Sequence, residues 1–227
     1  MHGGNDKFLR VLQSSVCDTV CRTPLNNVSE ETLLSRLHKN LDSHSTTCLH
    51  TAMRLIFLDT ETTGFTPEHG GRIIEIACVE MIDGVLTGRQ LHHILNPEEP
   101  IPELVSEITG FYDAMVFDKP RFSDIAPQLV EFVGGDKLVI HNAAFDMNFL
   151  RAEWVAVGTA WAHLIDADLV IDTLPCFQNL HPGARCSLNS LCERYGIYQA
   201  DNEDPSDCLA DAKQLARLWQ AAIQTDS

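Results

Sequence analysis

The sequence has 227 residues, 44% of them hydrophobic and 21% charged, a globular balance that excludes a disordered or fibrous chain. Its 32 acidic and 16 basic side chains leave a net charge of −16, which repels a phosphate backbone and excludes a protein that coats nucleic acid by charge alone. An enzyme acting at a strand end stays open, because bound divalent cations neutralise such a site locally. No apolar run reaches the roughly 18–20 residues of a membrane span, and the first twenty residues lack the apolar stretch of a secretory signal. A cytoplasmic protein with no membrane attachment is expected. The eight cysteines are scattered and read as reduced thiols packed as small hydrophobes. Cys17, Cys21, Cys48 and His50 fit the spacing of a zinc site poorly.

Residues 1–52 read as an N-terminal extension, partly helical or disordered. One amphipathic helix is expected over Ser29–Leu41, where Leu33, Leu34, Leu37 and Leu41 share a face. The polar stretch 42-DSHSTT-47 reads as linker. Met53 directly precedes the first convincing strand and is a candidate alternative translation start. Residues 53–227 read as one α/β domain. Strands are expected at Leu55–Leu58, Arg72–Ile82 and Leu86–Leu95, joined by short turns carrying Gly70-Gly71 and Asp83-Gly84. Further strands are expected at Lys137–Ile140 and Leu169–Ile171. Helices are expected near Pro102–Ile108, Ser123–Val133, Ala144–Val157, Leu188–Tyr195 and Asp207–Ile223. Three antiparallel strands followed by strands alternating with helices imply a mixed five-stranded sheet flanked by helices.

Three segments carry candidate chemistry. In 58-LDTETTG-64, Asp59 and Glu61 stand two apart at the end of a strand and point to one face. Paired carboxylates repel each other, and a hard divalent cation relieves that repulsion. By itself the pair reads first as a solvated strand end, and only its combination with other segments favours a metal. In 140-IHNAAFDMNFL-150, Asp146 falls in the first turns of a helix and faces the sheet, where it also suits the helix dipole. Asp211 lies on the apolar stripe of the last helix with Cys208, Leu215, Leu218 and Ala222. A carboxylate there is costly unless hydrogen-bonded or metal-bound. Together the four carboxylates come from a strand and two helices that can converge at one edge of a mixed sheet, which suits two-metal phosphodiester hydrolysis.

These segments, with RIIEIACVEM, SLNSLCERYGI and a final L-x-D-A helix, resemble the DnaQ-type (DEDD) 3'→5' exonucleases, the family of the epsilon proofreading subunits of bacterial DNA polymerase III. The likeness spans about Arg54 to Ala222. It implies a ribonuclease H-like fold and hydrolysis of single-stranded DNA 3' ends to nucleoside monophosphates. It also implies Mg²⁺ or Mn²⁺, two per site, held by Asp59, Glu61, Asp146 and Asp211. By the same carry-over, Thr62 and Thr63 lie near the terminal nucleotide, and Asn142 and Phe145 shape the path of the strand.

The sequence departs from the family in two respects. The general-base histidine stands five residues before the last aspartate, and that position here is Ser206. The branch that uses tyrosine places it four residues before, and that position is Asp207. A serine hydroxyl is a poor base at neutral pH, and loss of a general base costs about 10²–10⁴-fold. His141 follows a strand and reads as structural. The epsilon subunits also carry a polymerase-binding tail, whereas this sequence ends at Ser227, just past the last helix. Repair or nucleotide scavenging is therefore as much expected as replicative proofreading beside a polymerase subunit. Two alternatives stay open: a catalytically weak pseudo-exonuclease that binds 3' ends or a polymerase partner, and an RNA exonuclease of the same fold.

Overall fold

The computed structural model describes residues 52–158, 167–198 and 208–224. The expected helix at Ser29–Leu41, the Cys17/Cys21/Cys48/His50 grouping and Ser206 all lie outside them. Five strands form one sheet: β1 Arg54–Thr62, β2 Ile73–Ile82, β3 Val85–Ile94, β4 Lys137–Ile140 and β5 Val170–Asp172. Their order is β3-β2-β1-β4-β5. The first three strands are antiparallel neighbours, while β4 runs parallel to β1 and β5 parallel to β4. This is the expected mixed sheet. β1 lies at its centre, and Leu55, Ile56, Phe57 and Leu58 are all buried, as a strand covered on both faces requires.

Seven α-helices are described: α1 Glu103–Thr109, α2 Asp113–Val116, α3 Phe122–Val133, α4 Ala143–Val157, α5 Thr173–Leu180, α6 Leu188–Tyr195 and α7 Cys208–Gln224. One face of the sheet, with Phe57, Met81 and Val139, packs against α5, α6 and α7 through Phe177, Leu191, Leu215 and Trp219. The Phe57 and Trp219 rings meet edge to face at 6.0 Å, a favoured aromatic geometry. The opposite face, with Ile56, Leu58, Leu138 and Ile140, packs against α3 and α4. Phe122 and Trp154 join those two helices, again edge to face, at 5.2 Å. A smaller cluster of Ile74, Ile101, Val105, Phe111 and Val116 seats α1 and α2.

Two expectations need correction. β1 extends four residues beyond Leu58, so Asp59 and Glu61 lie within the strand, paired with Ala77 and Glu75 of β2. Ladder bonds to β2 hold these polar residues in extended backbone, and local composition underweights such long-range pairing. Helices α2 and α5 were not expected. The four residues of α2 are too few to show a periodic stripe, and in α5 Pro175 reads as a breaker although in the first turn it costs no hydrogen bond.

A buried ion pair ties α4 to the start of β2. Nε and Nη2 of Arg72 donate to the two carboxylate oxygens of Glu153, each at 2.8 Å, and the backbone N–H of Ile73 donates to Oε1 at 3.2 Å. Glu153 is only 2% exposed. Arg72→Ala leaves that carboxylate buried without its cation and is expected to cost about 3 kcal/mol. The melting temperature should fall by roughly 6–12 °C, measured by circular dichroism. A charge-free pair such as Arg72→Met with Glu153→Leu should recover much of the loss.

Candidate active site

β1 and β2 bring Asp59, Glu61 and Glu75 together on the face covered by α7. Side chains two apart on a strand share a face, and Glu61 stands directly opposite Glu75. Asp146 approaches from the start of α4. There Asn142 caps the helix with a left-handed backbone, φ 67° and ψ 50°, a conformation asparagine tolerates better than most residues. The tight turn places Asp146 in the first helical turn, 4% exposed, where its Oδ1 accepts from the Thr60 hydroxyl at 2.8 Å. Asp211 enters from the first turn of α7, which packs on β1 and β2. It is half-buried on an otherwise buried stripe of Cys208, Leu215, Leu218 and Ala222.

The electrostatics show how closely these groups crowd. Burial, then Asp146, Asp211, Glu61 and Glu75, push Asp59 well above the usual carboxylate range. Burial, then Glu75, Asp211 and Asp146, push Glu61 up to about 7. Burial raises Asp146 to about 7 as well, with the Thr60 hydrogen bond acting against it. Asp59 and Glu61 thus each sense both Asp146 and Asp211. Clustered oxygen donors with unrelieved mutual repulsion are the donor set of a hard divalent cation. Asp59 and Asp211 also line an open cleft of about 530 Å³ whose other walls include His141, Asn142, Gln178 and Cys186.

The other expected site residues divide. Asn142 is exposed at the cleft, and Phe145 is half-buried with its ring 5.1 Å from that of Phe149. Thr62 and Thr63 are buried where β1 bulges after Glu61. The Thr62 hydroxyl donates to the Gly64 carbonyl at 2.7 Å, and that of Thr63 donates to the Glu99 carboxylate. Thr63 Oγ1 also accepts from the Arg72 backbone N–H at 2.8 Å. His141 has both ring nitrogens engaged, Nδ1 with the Thr173 hydroxyl and Nε2 with the Cys186 carbonyl, each at 2.9 Å. Burial pulls its pKa below the usual histidine value. It joins β4 to the segment before α6, a structural role.

Two contributors escaped the sequence reading. Glu75 is hidden by the apolar strand pattern around it, although a carboxylate within IIEIACVEM marks a residue with a buried partner. Thr60, the neutral member of the D-T-E run, carries no sequence signal of its own. Its hydroxyl points to the opposite face from the flanking acids and fixes Asp146 there.

The family model for exonucleases of the RNase T type matches residues 56–218. The DNA polymerase III epsilon subunit of Rickettsia felis is 39% identical over 168 residues, spanning 74% of this chain and 73% of that one. The epsilon subunit of Pasteurella multocida is 38% identical over 175 residues, or 73% of this chain and 66% of that one. Among solved structures, exonuclease X in complex with 5' overhanging duplex DNA superposes with a TM-score of 0.58 at 27% identity, covering 76% of this chain and 92% of that one. Exonuclease I shares the fold, with a TM-score of 0.62 at 17% identity over 74% of this chain and 40% of that one. No helix among the described residues is long and apolar enough to cross a membrane. The sheet, the helices on its two faces and these matches together show that the chain belongs to the DnaQ-like exonuclease family, ribonuclease H-like in fold, whose members generally use divalent metals.

Proposed function

We propose that this chain is a 3'→5' exonuclease that trims single-stranded DNA ends to nucleoside monophosphates. The observation that carries the reading is the convergence of Asp59, Glu61, Asp146 and Asp211 into one cluster beside an open cleft. These four would hold two Mg²⁺ or Mn²⁺ ions. When bound, such a pair activates water at neutral pH and neutralises charge on the phosphate and leaving oxygen. The protein's share is positioning: the ladder of β1 and β2 fixes Asp59 and Glu61, the Thr60 hydroxyl orients Asp146, and α7 fixes Asp211. Thr62 and Thr63, their hydroxyls already committed, would border the terminal nucleotide through the bulged backbone. Asn142 at the rim and Phe145 beside it would guide the strand. Relatedness to the epsilon subunits supports DNA as substrate and a polymerase subunit as a partner.

Release of nucleotides from a 5'-labelled single strand tests this, run with Mg²⁺, with Mn²⁺ and with chelator. Stepwise shortening from the 3' end that chelator stops is expected. An intact oligonucleotide under both metals overturns the reading. A matched RNA strand distinguishes the RNA exonuclease. Ser206 favours a second reading, a chain that holds 3' ends or a polymerase partner with little cleavage. It would retain a labelled 3' end in the presence of metal without shortening it.

The raised carboxylates predict how metal and pH act on stability. Without metal, Glu61 and Asp146 keep their protons up to about 7 in the fold, whereas unfolded carboxyls lose theirs near about 4. Between those values the folded chain binds more protons than the unfolded one. The metal-free protein therefore loses stability as pH rises from about 4 to about 7. Divalent ions should bind more tightly as pH rises, because ligands must be deprotonated. At about 100-fold above Kd, bound metal adds about 2.7 kcal/mol, or roughly 5–10 °C in Tm. That gain should be present at pH 8 and largely absent at pH 5, measured by thermal denaturation with and without Mn²⁺.

A further inference from the structure

We infer that Glu75, His92 and Cys208 form a second cation site, for a thiolate-preferring divalent ion such as Zn²⁺, behind the carboxylate cluster. Their ligand atoms, a carboxylate oxygen, an imidazole nitrogen and a thiol sulfur, all lie within 4.8 Å of one another. They come from three separate elements, β2, β3 and the first residue of α7. Glu75 is 2% exposed and Cys208 fully buried, while the His92 side chain keeps 29% of its surface. His92 thus forms the solvent-facing side of the site, where water can complete the coordination.

The present bonds already hold the group together. His92 Nε2 meets Glu75 Oε1 at 2.6 Å, and the Cys208 backbone N–H donates to Glu75 Oε2 at 3.2 Å. Ligands of tetrahedral zinc, with bonds of about 2.0–2.3 Å, stand roughly 3.3–3.8 Å apart. Loading therefore needs the His92–Glu75 bond to open by less than about 1 Å, while the sulfur, within 4.8 Å of both partners, closes by no more than about 1.5 Å. On binding, the Cys208 thiol releases its proton to solvent, and His92 carries its remaining proton on Nδ1. Sulfur and nitrogen donors select zinc-like ions, whereas Mg²⁺ and Mn²⁺ prefer the all-oxygen cluster next door.

The location gives the site a consequence. Glu75 is paired with Glu61, and Cys208 lies three residues, about one helical turn, before Asp211. A bound ion would neutralise the carboxylate that presses on Glu61 and pin the start of α7 to the sheet. The binding claim stands whether or not the exonuclease reading holds.

Cobalt titration of the full chain tests it, with saturating Mg²⁺ to occupy oxygen-only ligands. A thiolate-to-cobalt charge-transfer band at one equivalent, displaced by Zn²⁺, is expected. The band should vanish in Cys208→Ala and persist in Cys186→Ala, which alters the cysteine of the cleft. His92→Gln, a half-exposed position that leaves the core intact, should weaken cobalt binding at least about tenfold, no less than loss of an outer-shell partner costs. It answers the question should Cys208→Ala not fold. Absence of the band, or a band unchanged in both Cys208→Ala and His92→Gln, overturns the inference.

Discussion

Asp59→Asn is expected to lower the rate of nucleotide release by about 10³-fold or more, exceeding the 10–100-fold typical of lost outer-shell partners. Asp59 feels Asp146, Asp211, Glu61 and Glu75 together, so it sits at the electrostatic centre of the cluster. The amide keeps the shape of the side chain and removes one of the charges that attract the cations. The same change should stabilise the metal-free fold above pH 7, because the remaining carboxylates lose a repelling neighbour. A higher Tm without metal, a smaller gain from Mn²⁺ and lost activity form a signature that general misfolding does not produce. Wild-type turnover in Asp59→Asn would remove this residue from the chemistry.

Ser206→His is expected to raise turnover by about 10²–10⁴-fold, the range that a positioned general base contributes. Ser206 stands five residues before Asp211, and neither His141 nor His181 is an obvious substitute. His141 spends both ring nitrogens on Thr173 and Cys186. His181 meets the Tyr195 hydroxyl at 3.1 Å, and burial and Arg194 pull its pKa down. The gain should appear in single-turnover release from a 5'-labelled strand and depend on pH with a midpoint near that of histidine, about 6.5. An unchanged rate, in a protein whose cleavage still needs Asp59, would place proton removal elsewhere in the cleft.

The legible part of the molecule was the part written in local pattern. Alternating and continuous apolar runs marked all five strands to within a few residues, because burial on one or both faces leaves a direct trace in sequence. Asp211 is visible as an acid on an apolar stripe, where an unpartnered charge is costly, whereas Asp59, Glu61 and Asp146 stand out only in combination and through the family resemblance. What could not be read was whatever depends on register. The pairing of Glu61 with Glu75 follows from the β1–β2 alignment, and the meeting of His92 with Cys208 requires β3 and α7 in place. Likewise, the Thr60 hydroxyl matters only because α4 carries Asp146 over the edge of β1, 86 positions later. Helix α2 is illegible because its four residues are fixed by packing, and α5 because Pro175 reads as a breaker within a segment whose buried residues, Thr173, Cys176 and Phe177, do follow helical spacing.

The placement of α7 governs when the molecule becomes competent during synthesis. β1 supplies two of the carboxylates near the start of the domain, while Asp211 arrives on the last helix. β1 must also wait for β4, about eighty residues later, before its second edge is paired. Contacts of such sequence separation make folding slow relative to a helical bundle. Until α7 docks, the nascent chain exposes the part of the sheet face that this helix covers, Phe57 against Trp219 included. A ribosome-bound chain halted before residue 208 would therefore be sticky and would lack Asp211, so under the proposed function cleavage would begin only once α7 had left the exit tunnel and covered that face.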